Sequence, residues 1–349
     1  MFIQEEIKVK NSDFKNFPGT RYMGSKNKII GSIWEILKEY QFESFFDGFS
    51  GSNVVSYLMK CKGKQVYTND FMGISYSTSK AIIENNSVLV NNNDIELLLG
   101  ETNHNGFIYN TFKDLYFTDE ENRLLDTIRT NVDKLDHEYK KDIVISSLVR
   151  ACMKKRPRGI FTFVGHRYDD GRSDIKKTLL SHFIENIAVF NNAVFDNGKI
   201  CKAYNQQTEE IKLPVDLVYF DPPYCTPNSD NDYVRRYHFV EGLTKNWKGL
   251  DIQTHTKTKK FKSYESPFSS KKTSYQAFDQ LFHNFKDSKI AVSYSSNSLP
   301  NKEEMIDLLK VYKNNVEVHE IDHLYSLGNQ NHRIGNNANR VKEYLFIGF

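Results

Sequence analysis

An open, mostly parallel, doubly wound α/β sheet carrying a long helical insertion is the fold this sequence predicts, and three observations predict it. Short apolar runs bounded by breakers recur as FESFF, KQVYTNDF, NGKICKAYNQQ, VDLVYFDPPY, DSKIAVSYSS, NVEVHEI and KEYLFIGF, with helical stretches such as NKEEMIDLLKVYK between them. The first run enters a helix through a glycine-rich turn, FDGFSGSNVVSYLMKC. From about Ser75 to Phe195 the strand pattern stops and helical spacing takes over, as in ENRLLDTIRTNVDKL and YKKDIVISSLVRACM. The expected organisation is one sheet domain from residues 1–80 and 196–349, with residues 81–195 inserted as a mainly helical subdomain.

The bulk properties bound the function. With 349 residues, 39% hydrophobic and 26% charged, the chain is long enough for two domains. No apolar run approaches the ~20 residues that span a bilayer. The start, MFIQEEIKVKNSDF, has no apolar leader region, so a cytoplasmic protein with no membrane partner is expected. Cys61, Cys152, Cys201 and Cys225 form neither a C-x-x-C pair nor a His/Cys cluster, so no metal and no disulfide framework is expected. The net charge of +3 is small but unevenly placed. RACMKKRPRGIFTFVGHRYDDGR concentrates Arg150, Lys154, Lys155, Arg156, Arg158, Arg167 and Arg172, with aromatic residues among them. Such a run fits either a solvated face or a nucleic-acid contact.

Taken in order, the first element is RYMGSKNKI, Arg21 to Ile29, leading into a helix. Ser25 is the candidate N-cap there, which would leave backbone N–H groups and Lys26 facing a carboxylate. Next comes DGFSGS. A glycine-rich strand-to-helix turn usually cradles phosphate, but Asp47 immediately before the glycines would repel one, and the loop lacks a phosphate-binding lysine. The turn fits a ligand that carries positive charge and needs close backbone approach. S-adenosylmethionine, with an ammonium, a sulfonium and no phosphate, meets both conditions. Asp70 follows Asp47 at about the ~20-residue interval at which a second strand-end acid binds ribose hydroxyls. In VDLVYFDPPYC the apolar run Leu217 to Phe220 reads as a buried central strand. Pro222 and Pro223 end it and fix the backbone carbonyls after Asp221, a rigid edge suited to a flat polar group, although an ordinary strand-to-turn exit has the same local signature.

In order, RYMGSK, FDGFSGSNVV, TNDF and DPPY resemble the cofactor, glycine, ribose-acid and catalytic motifs of the N6-adenine DNA methyltransferases related to DNA adenine methylase. Motif order matches too, with the target-recognition region between the ribose acid and DPPY. The resemblance implies a Rossmann-like methyltransferase sheet, S-adenosylmethionine as cofactor, double-stranded DNA as substrate, and either a cognate restriction endonuclease encoded nearby or an orphan methylase. Tyr22, Gly24 and Lys26 would hold the methionine part, Asp47 the ammonium and Asp70 the ribose, with Ser25, Gly48, Ser50, Gly51, Ser52, Phe71 and Asn205 also in the cofactor site. DYVRRYHFVEGL, with Arg235 and Arg236, looks like the segment that flanks the target base. Where relatives often place an Asp against the cofactor adenine, this chain has Asn205 and Gln206, and an amide can contact an adenine edge.

The chemistry this implies answers why DPPY stands where it does. An exocyclic adenine amine is a poor nucleophile because its lone pair is delocalised. Asp221 and the Pro222 carbonyl would accept its two N–H bonds, and Tyr224 would stack on the flipped base. The absence of any Pro-Cys dipeptide argues against cytosine C5 chemistry. Methylation of RNA adenine, or a non-catalytic DNA-binding module of the same fold, are the alternatives.

Overall fold

The computed structural model describes residues 14–101, 105–162, 172–225, 232–324 and 340–349. The strands are β1 (Ser44–Asp47), β2 (Gln65–Asn69), β3 (Lys202–Tyr204), β4 (Leu217–Phe220), β5 (Lys289–Ser295), β6 (Val316–Leu324) and β7 (Arg340–Gly348). They form one seven-stranded sheet in the order β3-β2-β1-β4-β5-β7-β6. The pairs among β1 to β5 are parallel, whereas β7 runs antiparallel to both β5 and β6. Each strand falls on a run expected from the sequence, with β6 extending past its run to Leu324 and β7 starting before its run at Arg340. The antiparallel wedge of β7 between β5 and β6 is the feature that local patterning does not encode.

The helices are α1 (Ile30–Leu37), α2 (Val54–Cys61), α3 (Gly73–Ser79), α4 (Asn92–Leu99), α5 (Phe107–Phe112), α6 (Asp119–Asn131), α7 (Glu138–Lys154), α8 (Ser173–Lys176), α9 (Leu179–Ala193), α10 (Tyr233–Lys245), α11 (Lys271–Asn284) and α12 (Lys302–Lys310). Their starts follow capping chemistry. Thr118 with Glu121, and Asn301 with Glu304, each form a reciprocal capping box at the heads of α6 and α12. No helix among the described residues is long and apolar enough to cross a membrane.

Strand alternation sorts the core into two layers. Phe45, Leu217, Tyr219, Ala291, Leu345 and Ile347 face a cluster that includes Ile33 of α1, Tyr57 of α2 and the insertion's Leu148 and Phe183. Phe46, Val218, Phe220, Val292 and Phe346 face the opposite cluster, with Phe278 of α11 and Met305 of α12. The helical insertion thus shares an unbroken apolar core with one face of the sheet.

Strand order reverses between β1 and β4, and in open α/β sheets the crevice beyond the C-terminal ends at such a reversal is where ligands bind. Asp47 closes β1, Asp70 follows β2 and Asp221 follows β4, so one crevice collects all three carboxylates.

Candidate active site

A cleft of about 650 Å³, part of it open solvent, lies at this reversal. Of the expected cofactor residues, Tyr22, Gly24, Ser25, Lys26, Asp47, Ser50, Gly51, Ser52, Asp70 and Phe71 line it, as do Asp221, Pro222, Pro223 and Tyr224.

Asp47 is buried at the end of β1; its Oδ2 accepts the Ser56 hydroxyl at 2.6 Å. Its Oδ1 is buried without a hydrogen bond of ordinary geometry. Burial pushes the carboxyl up to about 7; the Ser56 hydroxyl and Phe49 N–H oppose this, while the negative Asp221 and Asp70 add to it. Asp70 takes one N–H on each oxygen, Gly51 at 2.8 Å and Met72 at 2.9 Å. Burial raises it to about 6 against those two hydrogen bonds. Each of its oxygens keeps further lone-pair capacity for a hydroxyl donor. A buried anionic oxygen in need of a donor, beside a second acid tied to the glycine loop, is a donor set that fits a cationic nucleoside such as S-adenosylmethionine.

The glycines divide into two kinds. Gly24 has φ +74 and a Cβ there would stand 2.9 Å from the Tyr233 hydroxyl, and Gly51 has φ +48. Gly48 is not among the residues that line the cleft. A Cβ there would lie 2.8 Å from the Phe220 ring and 2.9 Å from Thr208, so this glycine lets β1 and β4 exit side by side.

Two expectations at the N-terminal motif change. Ser25 caps no helix: Lys26–Lys28 is a 3-10 turn, α1 begins at Ile30, and the Ser25 hydroxyl pairs with that of Ser52 at 2.9 Å. Lys26 turns toward the DPPY motif. Its buried ammonium lies 2.7 Å from Asp221 Oδ1, donates to the Tyr224 hydroxyl at 2.6 Å and sits 3.3 Å from Glu343 Oε1. Burial holds Asp221 above the usual carboxylate range, Lys26 working against it and Glu343 with it. Tyr22 stacks on Tyr233 and Tyr237 of α10 at ring separations of 5.8 and 5.3 Å. Asn205 donates its amide to the Asp70 carbonyl at 2.7 Å and stands outside the cleft lining, bracing the Asp70 backbone.

Glu343 is the residue sequence reasoning missed. It is fully buried on β7 and accepts hydrogen bonds from Ser293 at 2.7 Å and Tyr224 at 2.6 Å. Alternation in KEYLFIGF was the available signal, since it puts Glu343 on the same face as the buried Leu345 and Ile347.

The expected DNA-contact residues also divide. Arg156 is only 2% exposed and donates to the Tyr116 carbonyl, so it cannot reach a phosphate. Lys155 pairs with Glu121 at 3.0 Å and donates to the Ile175 and Lys177 carbonyls, while Arg150 donates to the Gly19 carbonyl and to Asn186. Arg172 donates to the Arg156 carbonyl. Lys154 is half-buried at the end of α7. Arg167 lies outside the described residues. Arg158 and Arg235 are exposed. The Phe161 N–H donates to the Arg236 carbonyl at 2.8 Å, which ties the turn after Arg158 to α10 beside the cleft-lining Tyr233.

Comparison with known proteins adds family to geometry. Residues 22–327 match the model of the D12 class N6 adenine-specific DNA methyltransferases. The chain is 30% identical over 347 residues to the Type II methyltransferase M2.HphI of Haemophilus parahaemolyticus, covering 95% of this chain and 97% of that one. It is 26% identical to Modification methylase StsI of Streptococcus sanguinis, covering 84% of this chain and 46% of the relative. It is also 26% identical to Type II methyltransferase M.FokI of Planomicrobium okeanokoites, covering 83% and 46%. The chain therefore spans about half the length of the last two.

Proposed function

Because the chain belongs to the D12 class of N6 adenine-specific DNA methyltransferases, which use S-adenosylmethionine, we propose that the cleft at the β1–β4 reversal is where it methylates adenine. The observation that carries this is the convergence of Asp47, Asp70 and Asp221 from three adjacent strand ends, one of them with an unmatched buried oxygen. Bound there, S-adenosylmethionine supplies a methyl carbon made electrophilic by its sulfonium.

The chain's own groups do the rest. Asp47 Oδ1 receives the cofactor ammonium, and Asp70, steadied by Asn205, receives the ribose hydroxyls. Ser25 and Ser52 offer their hydroxyls at the methionine end. Asp221 and the Pro222 carbonyl accept the two N–H bonds of the target amine, which leaves its lone pair free to attack in line. Asp221, held above the usual carboxylate range by burial, then takes the proton that the methylated amine sheds. Tyr224 and Pro223 bound the slot for the base, which must leave the duplex to enter it.

The helical segment 81–195 supplies the face that reads the DNA, its exposed Arg158 acting with the exposed Arg235 of α10. The names of the relatives, type II methyltransferase and modification methylase, support a role in restriction-modification; on this reading the chain is the modification partner of a restriction endonuclease encoded nearby and works in the cytoplasm. Tritiated-methyl transfer to double-stranded DNA and to RNA, followed by nucleoside analysis, tests the reading. Label should appear as N6-methyladenine in DNA and vanish in Asp221→Ala with DNA binding retained. Label in RNA alone, or near-wild-type single-turnover transfer by folded, cofactor-bound Asp221→Ala, overturns it.

A further inference from the structure

Beside Asp221, two buried carboxylates share two donor groups, the Tyr224 hydroxyl and the Lys26 ammonium. The Tyr224 hydroxyl has one hydrogen and two carboxylate oxygens in reach, Glu343 Oε1 at 2.6 Å and Asp221 Oδ1 at 3.2 Å. The shorter contact takes it, so Tyr224 donates to Glu343 and accepts from Lys26. Lys26 in turn stands between the two carboxylates. One ammonium therefore serves two buried acids, and while it sits on Asp221 it takes up lone-pair capacity on Oδ1, one of the two oxygens an incoming amine can reach. Glu343 is well placed to draw it off. Ser293 of β5 fixes its Oε1 from behind at 2.7 Å, and β7 is clamped by strands on both sides.

We propose that Glu343 is a positioning residue for methyl transfer, holding the Tyr224 hydroxyl and taking over the Lys26 ammonium when the target amine binds Asp221. The ammonium then shifts between partners without crossing to water. This rests on the reading that Asp221 receives the amine. Asp221 is faced by the charges of Lys26, Glu343 and Asp47, and by the phenols of Tyr219, Tyr224, Tyr233 and Tyr294. Among these, Lys26 contacts both Asp221, at 2.7 Å, and Glu343, at 3.3 Å, so removing one carboxylate redistributes the ammonium toward the other.

The test uses the full chain with Glu343→Gln, Glu343→Asp and Ser293→Ala. In cofactor-free protein, the Asp221 carboxyl is titrated by carbon-13 NMR and assigned with Asp221→Asn. Glu343→Gln removes the neighbouring negative charge and leaves Lys26 wholly on Asp221, so the Asp221 titration should move to lower pH. The single-turnover rate should fall about tenfold or more, with its acid limb moving the same way, while calorimetric cofactor affinity stays within ~2-fold, well under the tenfold step of 1.4 kcal/mol. Glu343→Asp, which keeps the charge, should restore part of the titration shift. An unchanged titration and an unchanged pH–rate profile in folded Glu343→Gln overturn the proposal. If that variant does not fold, Ser293→Ala decides: a smaller shift in the same direction supports the proposal, and none overturns it. Because the titration is read without turnover, an active Asp221→Ala enzyme would refute the role of Asp221 separately.

Discussion

At the residue level the unmatched oxygen of Asp47 makes cofactor binding depend on pH. Its carboxyl is raised to about 7, so below that value it is neutral and offers the ammonium no charge. Affinity for S-adenosylmethionine should therefore climb between pH 5.5 and 7, and binding at pH 6 should release a proton. It should fall again as the ligand's α-amino group deprotonates near ~8. Calorimetry in buffers of different ionisation enthalpy reads both effects. Asp47→Asn should weaken binding by about 1.5–3 kcal/mol, the worth of a hydrogen bond to a charged group, and flatten the pH dependence below neutrality. Equal affinity at pH 5.5 and 7 in the wild type would remove Asp47 from the ammonium contact. Gly48→Ala tests packing. Its Cβ meets the Phe220 ring and Thr208, both at the sheet's buried edge, so overpacking should cost about 1–3 kcal/mol in denaturant unfolding. No loss of stability would return Gly48 to the ligand-contact reading.

At the level of elements, the basic run is where structure most revises sequence. A string such as MKKRPR shows charge density but not direction, and only the fold reveals that Arg156 points into the aromatic cluster around Tyr116. Arg158→Ala should flatten the salt dependence of DNA affinity by roughly 0.9 in log–log slope. Arg156→Met should lower the melting temperature and leave that slope alone. The reverse pattern would show the two side chains to be misassigned. Strands and motif acids were legible because each is a local event: an apolar run, a breaker, an acid at the run's end. The Lys26–Asp221 contact was not, since it joins positions 195 residues apart that no periodicity connects. Glu343 lay between these limits, visible as an acid on the buried face of a strand once alternation is followed through.

At the level of the whole molecule, the doubly wound class and the helical insertion followed from patterning, whereas the seat of β7 between β5 and β6 needed the sheet itself. The boundary proposed at residues 81–195 marks a change in pattern more than a gap in packing, since the insertion's Leu148 and Phe183 share a core with the sheet's Phe45 and Leu217. Cutting the insertion free should therefore expose apolar surface in both parts. Each part expressed alone should bind ANS and lack a cooperative melt, and two clean independent transitions would instead establish separate domains. The antiparallel strand also has a consequence during biosynthesis. Tyr224 waits 119 residues for Glu343, an interval on the order of ten seconds at ordinary translation speeds. A nascent chain that already carries all three strand-end acids still lacks the carboxylate that frees one of them from Lys26. On the ribosome, then, all three acids and Lys26 emerge before the second carboxylate that shares the ammonium, and the pairing around Asp221 is completed only when the last strand is made.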